Sequence, residues 1–254
     1  MLLNKFPKNP RQTIQSPLKD SKCFSFNASF FTVVGKTGAG KSSFINALAR
    51  KKICKVGAGG NSVTPCLEKY DFASNGHLFY VIDTAGLDDR DEKKNKEKIG
   101  QLKALLEKFP KIKKIIIVKA YSEVRLSKSI IESIITFMDS FPLKKFWEHV
   151  IIVNTFADTD SKGFKFFMEK EYIPMVENIK NNDILLKYMK KYKIEEPNNI
   201  KEYFLEPVLF MDYPDDYKSM EKDFDDILKD IENSDMIYKN VEIGGIKKNY
   251  LIVK

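Results

Sequence analysis

The chain has 254 residues, 43% of them hydrophobic, and a net charge of +8 at neutral pH. That length suits one α/β domain with an insertion, and the apolar share excludes wholesale disorder. The positive charge is nearly all lysine, with arginine only at Arg11, Arg50, Arg90 and Arg125; nucleic-acid readers favour arginine forks among aromatics, so specific nucleic-acid binding is not expected.

Cys23, Cys54 and Cys66 show no paired spacing, and no signal peptide stands before them, so they read as reduced thiols in the cytoplasm. His77 and His149 are too few for a histidine-rich metal site and are expected to be structural. No apolar run approaches the roughly 20 residues needed to span a bilayer. The terminal Tyr250 to Lys254 carries no prenylation cysteine, so membrane association is expected only through partners.

Residues 1–22 are polar with three prolines and read as a flexible leader. Residues from about Ser25 to Val34 then read as a strand, and Lys41 to Arg50 as a helix. Leu67 to Phe72 and Leu78 to Ile82 read as a strand pair turning at Ser74-Asn75-Gly76. Ile99, Leu102, Leu105, Leu106 and Phe109 recur at helical spacing, which predicts a helix over 94–109. Ile115 to Val118 is a continuous apolar run of the kind buried on both faces of a parallel sheet. Ile130, Ile131, Ile134, Ile135 and Met138 form the stripe of the next helix, and Val150 to Val153 the next buried strand.

Residues 160–200, rich in lysine and asparagine with two amphipathic pieces, read as an insertion. Val208-Leu209-Phe210 reads as the last core strand, Met220 to Ile231 as a closing helix, and Val241 to Val253 as a hairpin turning at Gly244-Gly245. The alternation predicts a doubly wound, mostly parallel α/β sheet with ligands at the carboxyl ends of its strands. The expected division is a leader at 1–22, a nucleotide-binding G-domain at 23–233 and a tail at 234–254.

Gly35-Lys36-Thr37-Gly38-Ala39-Gly40-Lys41-Ser42 is a full G-x-x-x-x-G-K-[ST] phosphate loop, followed by Ser43. The apolar strand before it and the helix after it are the context that its mechanism needs. Backbone N–H groups curl around phosphates, the helix N-terminus adds positive potential, Lys41 reaches the β- and γ-phosphates, and the Ser42 hydroxyl ligates Mg²⁺.

Asp83-Thr84-Ala85-Gly86 ends the second apolar strand of the pair. Its carboxylate is placed to hold Mg²⁺ through water, and the Gly86 N–H to sense the γ-phosphate. The polar segment from Leu87 to about Asn95 suits an order–disorder switch. Between the two motifs, Thr64 follows the glycine-rich Gly57 to Gly60. It is either the threonine of a first switch, closing over Mg²⁺ and the γ-phosphate, or a surface residue capping the next strand.

Thr155-Phe156-Ala157-Asp158 follows the strand ending at Val153. One carboxylate can accept both the N1–H and the N2 amine of guanine, which adenine cannot match, and Asp158 is placed for that. Phe156 stands where a lysine usually covers the base, and it offers a ring that can stack on the purine. Asn154 leaves the register open by one residue, and the alternative role for Asp158 is a helix cap. Asp212, in Met211-Asp212-Tyr213, is a further candidate beside the base.

Together these motifs resemble the GTPases of immunity-associated proteins, and more loosely the chloroplast-import receptor GTPases and septins. The carrying residues are Gly35 to Ser43, Ser62-Val63-Thr64, Val81 to Asp88 and Thr155 to Asp158, within about residues 28–215. The resemblance implies a GTP- and GDP-binding, Mg²⁺-dependent GTPase regulated by nucleotide-dependent dimerisation or oligomerisation across the nucleotide face. The family helix after the fourth strand starts with Arg-aromatic-Thr, and Arg125-Leu126-Ser127 falls there.

Leu87 stands where a self-sufficient small GTPase places a water-orienting glutamine, so intrinsic hydrolysis is expected to be slow. Arg125 is then the favoured cation offered to a partner subunit; pairing with Glu123 or another acidic surface group is the plainer alternative. A GTP-dependent assembly scaffold with little hydrolysis and a phosphate-loop kinase on a small acceptor are the competing functions.

Overall fold

The computed structural model describes residues 28–56, 68–84, 86, 92–108, 112–198, 200–206 and 220–235, with two short strands at 242–243 and 246–247. Strands β1 (Ala28–Val34), β2 (Glu68–Ser74), β3 (His77–Asp83), β4 (Ile112–Ala120), β5 (Val150–Thr155) and β6 (Lys201–Phe204) form one sheet in the order β2-β3-β1-β4-β5-β6. All neighbours pair in parallel except β2 and β3, which form an antiparallel hairpin. Its turn residues Asn75 (φ 51) and Gly76 (φ 77) are both left-handed, the conformation that matches a two-residue turn to strand twist.

Helices cover both faces, so the central strands are buried twice and read as continuous apolar runs. On one face α1 (Lys41–Ala49) and α7 (Glu221–Asn233) close over Phe31, Phe44, Phe72 and Phe79. Each of these rings is essentially fully buried, and such burial stabilises by about 1.5–3 kcal/mol. On the other face lie α2 (Glu92–Lys108), α3 (Lys128–Ser140), α5 (Met175–Lys180) and α6 (Asp183–Tyr192), packed on Ile115, Ile117 and Ile152. The chain changes face between α1 and α2, which places the crevice for a ligand at the carboxyl end of β1.

The 160–200 segment forms three helices rather than two amphipathic pieces: α4 (Lys162–Lys170), α5 and α6. Ser161 and Asn182 cap α4 and α6 by accepting from Phe164 N and Leu185 N, which divides the segment where the apolar pattern alone does not. Phe164 and Phe167 of α4 meet Tyr121 in edge-on ring contacts, fastening the insertion beside the end of β4.

The edge strand is Lys201–Phe204, upstream of the expected strand at 208–210, which lies outside the described residues. An edge strand covered mainly on one face carries a polar Lys-Glu pair, so a search for apolar runs passes over it. The tail hairpin is present as β7 (Glu242–Ile243) and β8 (Ile246–Lys247), antiparallel across positions 244 and 245. Among the described residues no helix is long and apolar enough to cross a membrane.

Candidate functional site

The phosphate loop leaves β1 at Gly35 and enters α1 at Lys41. Gly38 (φ 78) and Gly40 (φ 88) both take left-handed conformations that a side chain would strain, and Gly40 stands at the helix N-cap with no side chain in front of it. The first-turn N–H groups of α1 therefore have no side-chain cap, and a helix start of this kind behind a glycine-rich loop suits an anion. Ser43 is buried in that first turn, and Ala39 is buried beneath the loop.

Lys41 is 7% exposed, and its Nζ donates to the carbonyls of Gly35 at 3.2 Å and Lys36 at 2.9 Å. Burial pushes this ammonium down to about 8; Asp83 opposes the shift and Lys98 adds to it. Ser42 Oγ donates to Asp83 Oδ2 at 2.7 Å. Burial raises the Asp83 carboxyl above its ordinary value, with the Ser42 hydroxyl and Lys41 working against the rise. Asp83 Oδ1 is buried and has no hydrogen-bond partner among the described residues. Thr84 ties the strand end down, its Oγ1 donating to Val33 O at 2.9 Å.

Gly86 lies against the phosphate loop so closely that a Cβ there would fall 2.2 Å from Thr37 Oγ1 and 2.5 Å from Thr37 Cα. Only glycine fits that approach. Thr64, Leu87, Arg90 and Asp212 lie outside the described residues.

On the base side, Thr155 is fully buried, and its Oγ1 lies 2.9 Å from the Ala39 carbonyl and 3.0 Å from the Lys119 carbonyl. Its single proton serves one or the other, and the hydroxyl clamps β5 to the phosphate loop. Asn154 instead points to β6, donating to Tyr203 O at 3.4 Å. Of the two registers, only the one opening at Thr155 puts its first side chain on the loop.

Phe156 is left-handed (φ 62), a conformation that an aromatic residue rarely adopts and that tends to mark functional turns. The turn is held by Ala157 N donating to Leu205 O at 2.9 Å. Ser161, not Asp158, caps the following helix, and the Asp158 carboxylate is exposed with no partner among the described residues. The loop after the edge strand therefore begins at Leu205-Glu206. Glu206 accepts from Thr159 Oγ1 at 2.9 Å, next to Asp158 in the chain. Glu206 carries no signal in the sequence, where a strand is expected only further on, at 208–210.

Two further residues carry no sequence signal of their own. Lys119, 3% exposed and pushed down to about 8 by burial, donates to the carbonyls of Ala120 (3.3 Å) and Glu123 (2.7 Å) and so curls the loop after β4. Glu123 pairs with Lys36 of the phosphate loop at 3.1 Å and not with Arg125, which corrects that part of the plainer reading. Arg125 is exposed, with no ion pair among the described residues, and Ser127 caps α3 just beyond it. Arg50, by contrast, leaves α1 away from the loop and pairs with Glu221 and with Asp225 (3.6 Å) of α7.

The family model for AIG1 matches residues 31–208, a span that runs from β1 past the edge strand and includes every element of the site just described. The chain belongs to the AIG1 family. The resemblance to immunity-associated GTPases read from the motifs is the one this match bears out. No curated protein matches this AIG1-family chain in sequence.

Among solved structures, a dimerisation-deficient variant of Toc33 from Arabidopsis thaliana is similar at 18% identity and TM-score 0.56, over 83% of this chain and 88% of that one. Toc33 in complex with GDP and Mg²⁺ gives 19% and 0.55, over 84% and 88%. Era in complex with MgGDPNP and a stretch of 16S ribosomal RNA gives 16% and 0.50, over 86% and 59%. At these identities the likeness is one of fold: a phosphate-loop G-domain with a mostly parallel six-stranded sheet.

Proposed function

We propose that this chain binds GTP and GDP with Mg²⁺ and hydrolyses GTP, with turnover gated by pairing of two copies across the nucleotide face. The observation that carries the reading is the convergence of Lys41, Ser42 and Asp83 at the mouth of the phosphate loop, with Asp83 Oδ1 buried and without a partner among the described residues. An orphaned carboxylate oxygen beside a hydroxyl fits a hard cation held by few protein ligands and completed by water and phosphate oxygens, as Mg²⁺ is. Ser42 would ligate it, Asp83 would hold it through water, and Thr64 is proposed to join them. When bound, Mg²⁺ neutralises charge on the phosphate oxygens.

Lys41 and the N–H groups of Gly35 to Ser43 bind the phosphates, with Lys36 and Thr37 at the loop's outer turn. Thr155 fixes the base-side loop to Ala39, leaving the exposed Asp158 carboxylate for the guanine N1–H and N2 amine; Asp212 is the next residue to test. The G-domain proposed for this activity spans 23–233. Pairing of copies is supported by Arg125, exposed on a loop pinned to the phosphate loop through Glu123 and Lys36. Toc33, whose dimerisation-deficient variant shares this fold, offers a precedent. GTP-dependent assembly with little hydrolysis is the second reading, favoured by Leu87 at the glutamine position.

Calorimetric titration with GTP, GDP, ATP and xanthosine triphosphate tests the reading. The parent is expected to bind GTP and GDP and to reject ATP. Asp158→Asn is expected to lose GTP affinity by up to roughly 10⁴-fold and to gain the xanthine nucleotide, whose carbonyl accepts from the asparagine amide. Equal affinity for ATP and GTP in the parent would sink the guanine assignment.

A further inference from the structure

Lys98 lies in the second turn of α2, and its Nζ donates to the Gly86 carbonyl at 2.5 Å. Gly86 stands on its other side against Thr37 of the phosphate loop, with no room for a Cβ. A helix, the end of β3 and the phosphate loop therefore meet at one glycine, restrained from both directions.

We infer that Lys98 is a positioning residue for the terminal phosphate: it holds the Gly86 backbone, whose N–H would meet that phosphate, against the phosphate loop. The inference rests on the proposed binding of GTP, and it deepens that reading by naming the residue that tells GTP from GDP. Lys98 belongs to α2 and its bond is to the Gly86 carbonyl, so any displacement of Gly86 is passed directly to the helix. The loss of a γ-phosphate would thereby reach the surface of the domain. The D-x-x-G motif by itself identifies the sensing amide, whereas the cation that holds it stands twelve residues further along.

The test is the ratio of affinities for a non-hydrolysable GTP analogue and for GDP, measured by calorimetry on the full chain and on Lys98→Ala and Lys98→Arg. Removing a charged donor from a site of this kind is expected to lower affinity for the GTP analogue about tenfold. GDP affinity should stay within about twofold, since GDP carries no terminal phosphate for the Gly86 N–H to meet. The retained GDP affinity reports that the variant is folded. Lys98→Arg, which keeps charge and donors, should hold the parental ratio. Equal losses for both nucleotides in Lys98→Ala, or no loss for either, would overturn the inference while leaving GTP binding in place. A parent chain that binds neither nucleotide would instead remove the reading beneath it, and the inference with it.

Discussion

The two edges of the central sheet both bury charged and polar side chains, and they treat them in opposite ways. At the amino edge the groups are paired: Ser29 Oγ lies 2.9 Å from His77 Nε2, whose Nδ1 faces Glu232 at 3.4 Å. Lys114 reaches Asp230 at 2.9 Å and the Glu148 carbonyl at 2.6 Å, and Lys201 meets the same Asp230 at 2.7 Å. Two atoms there are exceptions among the described residues: Trp147 Nε1 is buried without a partner, and Asp230 Oδ2 meets Lys114 as an ion pair but takes no hydrogen bond. At the carboxyl edge, Asp83 Oδ1, Asn154 Oδ1 and Glu123 Oε2 are all buried and without a partner among the described residues, and Lys41 and Lys119 hold their protons only to about 8. An unsatisfied buried polar atom costs about 1–3 kcal/mol. At the carboxyl edge these atoms lie beside the phosphate loop and the loops next to it, where a bound ligand would complete them. Ser29, His77 and Glu232 resemble a hydrolytic triad in outline, but Ser29 is fully buried and the three only fasten β1 and β3 to α7.

The contrast is sharpest for the two described arginines. Arg125→Ala is expected to remove most of any rise in GTP hydrolysis with protein concentration, an effect of up to about 10³-fold for a finger-type cation. GTP affinity should stay nearly intact. Arg50→Ala, which breaks pairs to α7, should lower stability and leave that rise alone. Rates per molecule measured over a dilution series decide it; a rate independent of concentration in the parent would end the trans-acting role of Arg125.

Lys41→Met keeps the buried stem and removes the charge, and should lower nucleotide affinity about 10²-fold or more while not lowering the melting temperature of the nucleotide-free protein. The sign follows from its depressed proton affinity. The charged form costs stability below about 8, and that cost fades as pH rises from about 8 toward the ordinary 10.5. Phosphate binding needs the proton, so nucleotide affinity should fall as pH climbs past about 8. Lys119→Met should leave that fall in place, since Lys119 meets backbone carbonyls rather than phosphates.

At the opposite edge, Asp230→Ala strands the buried Lys114 ammonium and should cost about 2–4 kcal/mol in urea unfolding with nucleotide affinity unchanged. A change in affinity instead would blur the distinction between the edges.

The smallest effect is expected from the histidines. Burial lowers both His77 and His149 below the ordinary 6.5, against Glu232 for the first and against the bond to the Lys113 carbonyl for the second. Their contribution is complete above about 6.5 and declines as pH falls through their folded values, because the unfolded chain takes up the proton first. His149→Gln should flatten the acid limb of the stability curve slightly.

Much of this molecule was legible in the order of its residues. The phosphate loop, Asp83 and Gly86 announce themselves because backbone curvature and cation chemistry require those residue types at that spacing, whatever surrounds them. Continuous apolar runs marked β4 and β5 because strands buried on both faces have no polar side to confuse the pattern. The edge strand at Lys201–Phe204 was missed for the converse reason, and with it Glu206 beside the base-side loop. Asn154 and Thr155 could not be ranked from sequence either: they are neighbours that point to opposite faces of one strand, and only packing reveals which meets the phosphate loop. The pairing of Glu123 with Lys36 and the reach of Lys98 to Gly86 join segments far apart in the chain. Which groups can bind a phosphate or a cation is readable along the chain, since that is a property of residue type and local spacing. Which of those groups remain unsatisfied and which charges are tied depends on folding, because only the folded chain brings distant segments within hydrogen-bond distance and removes water from between them.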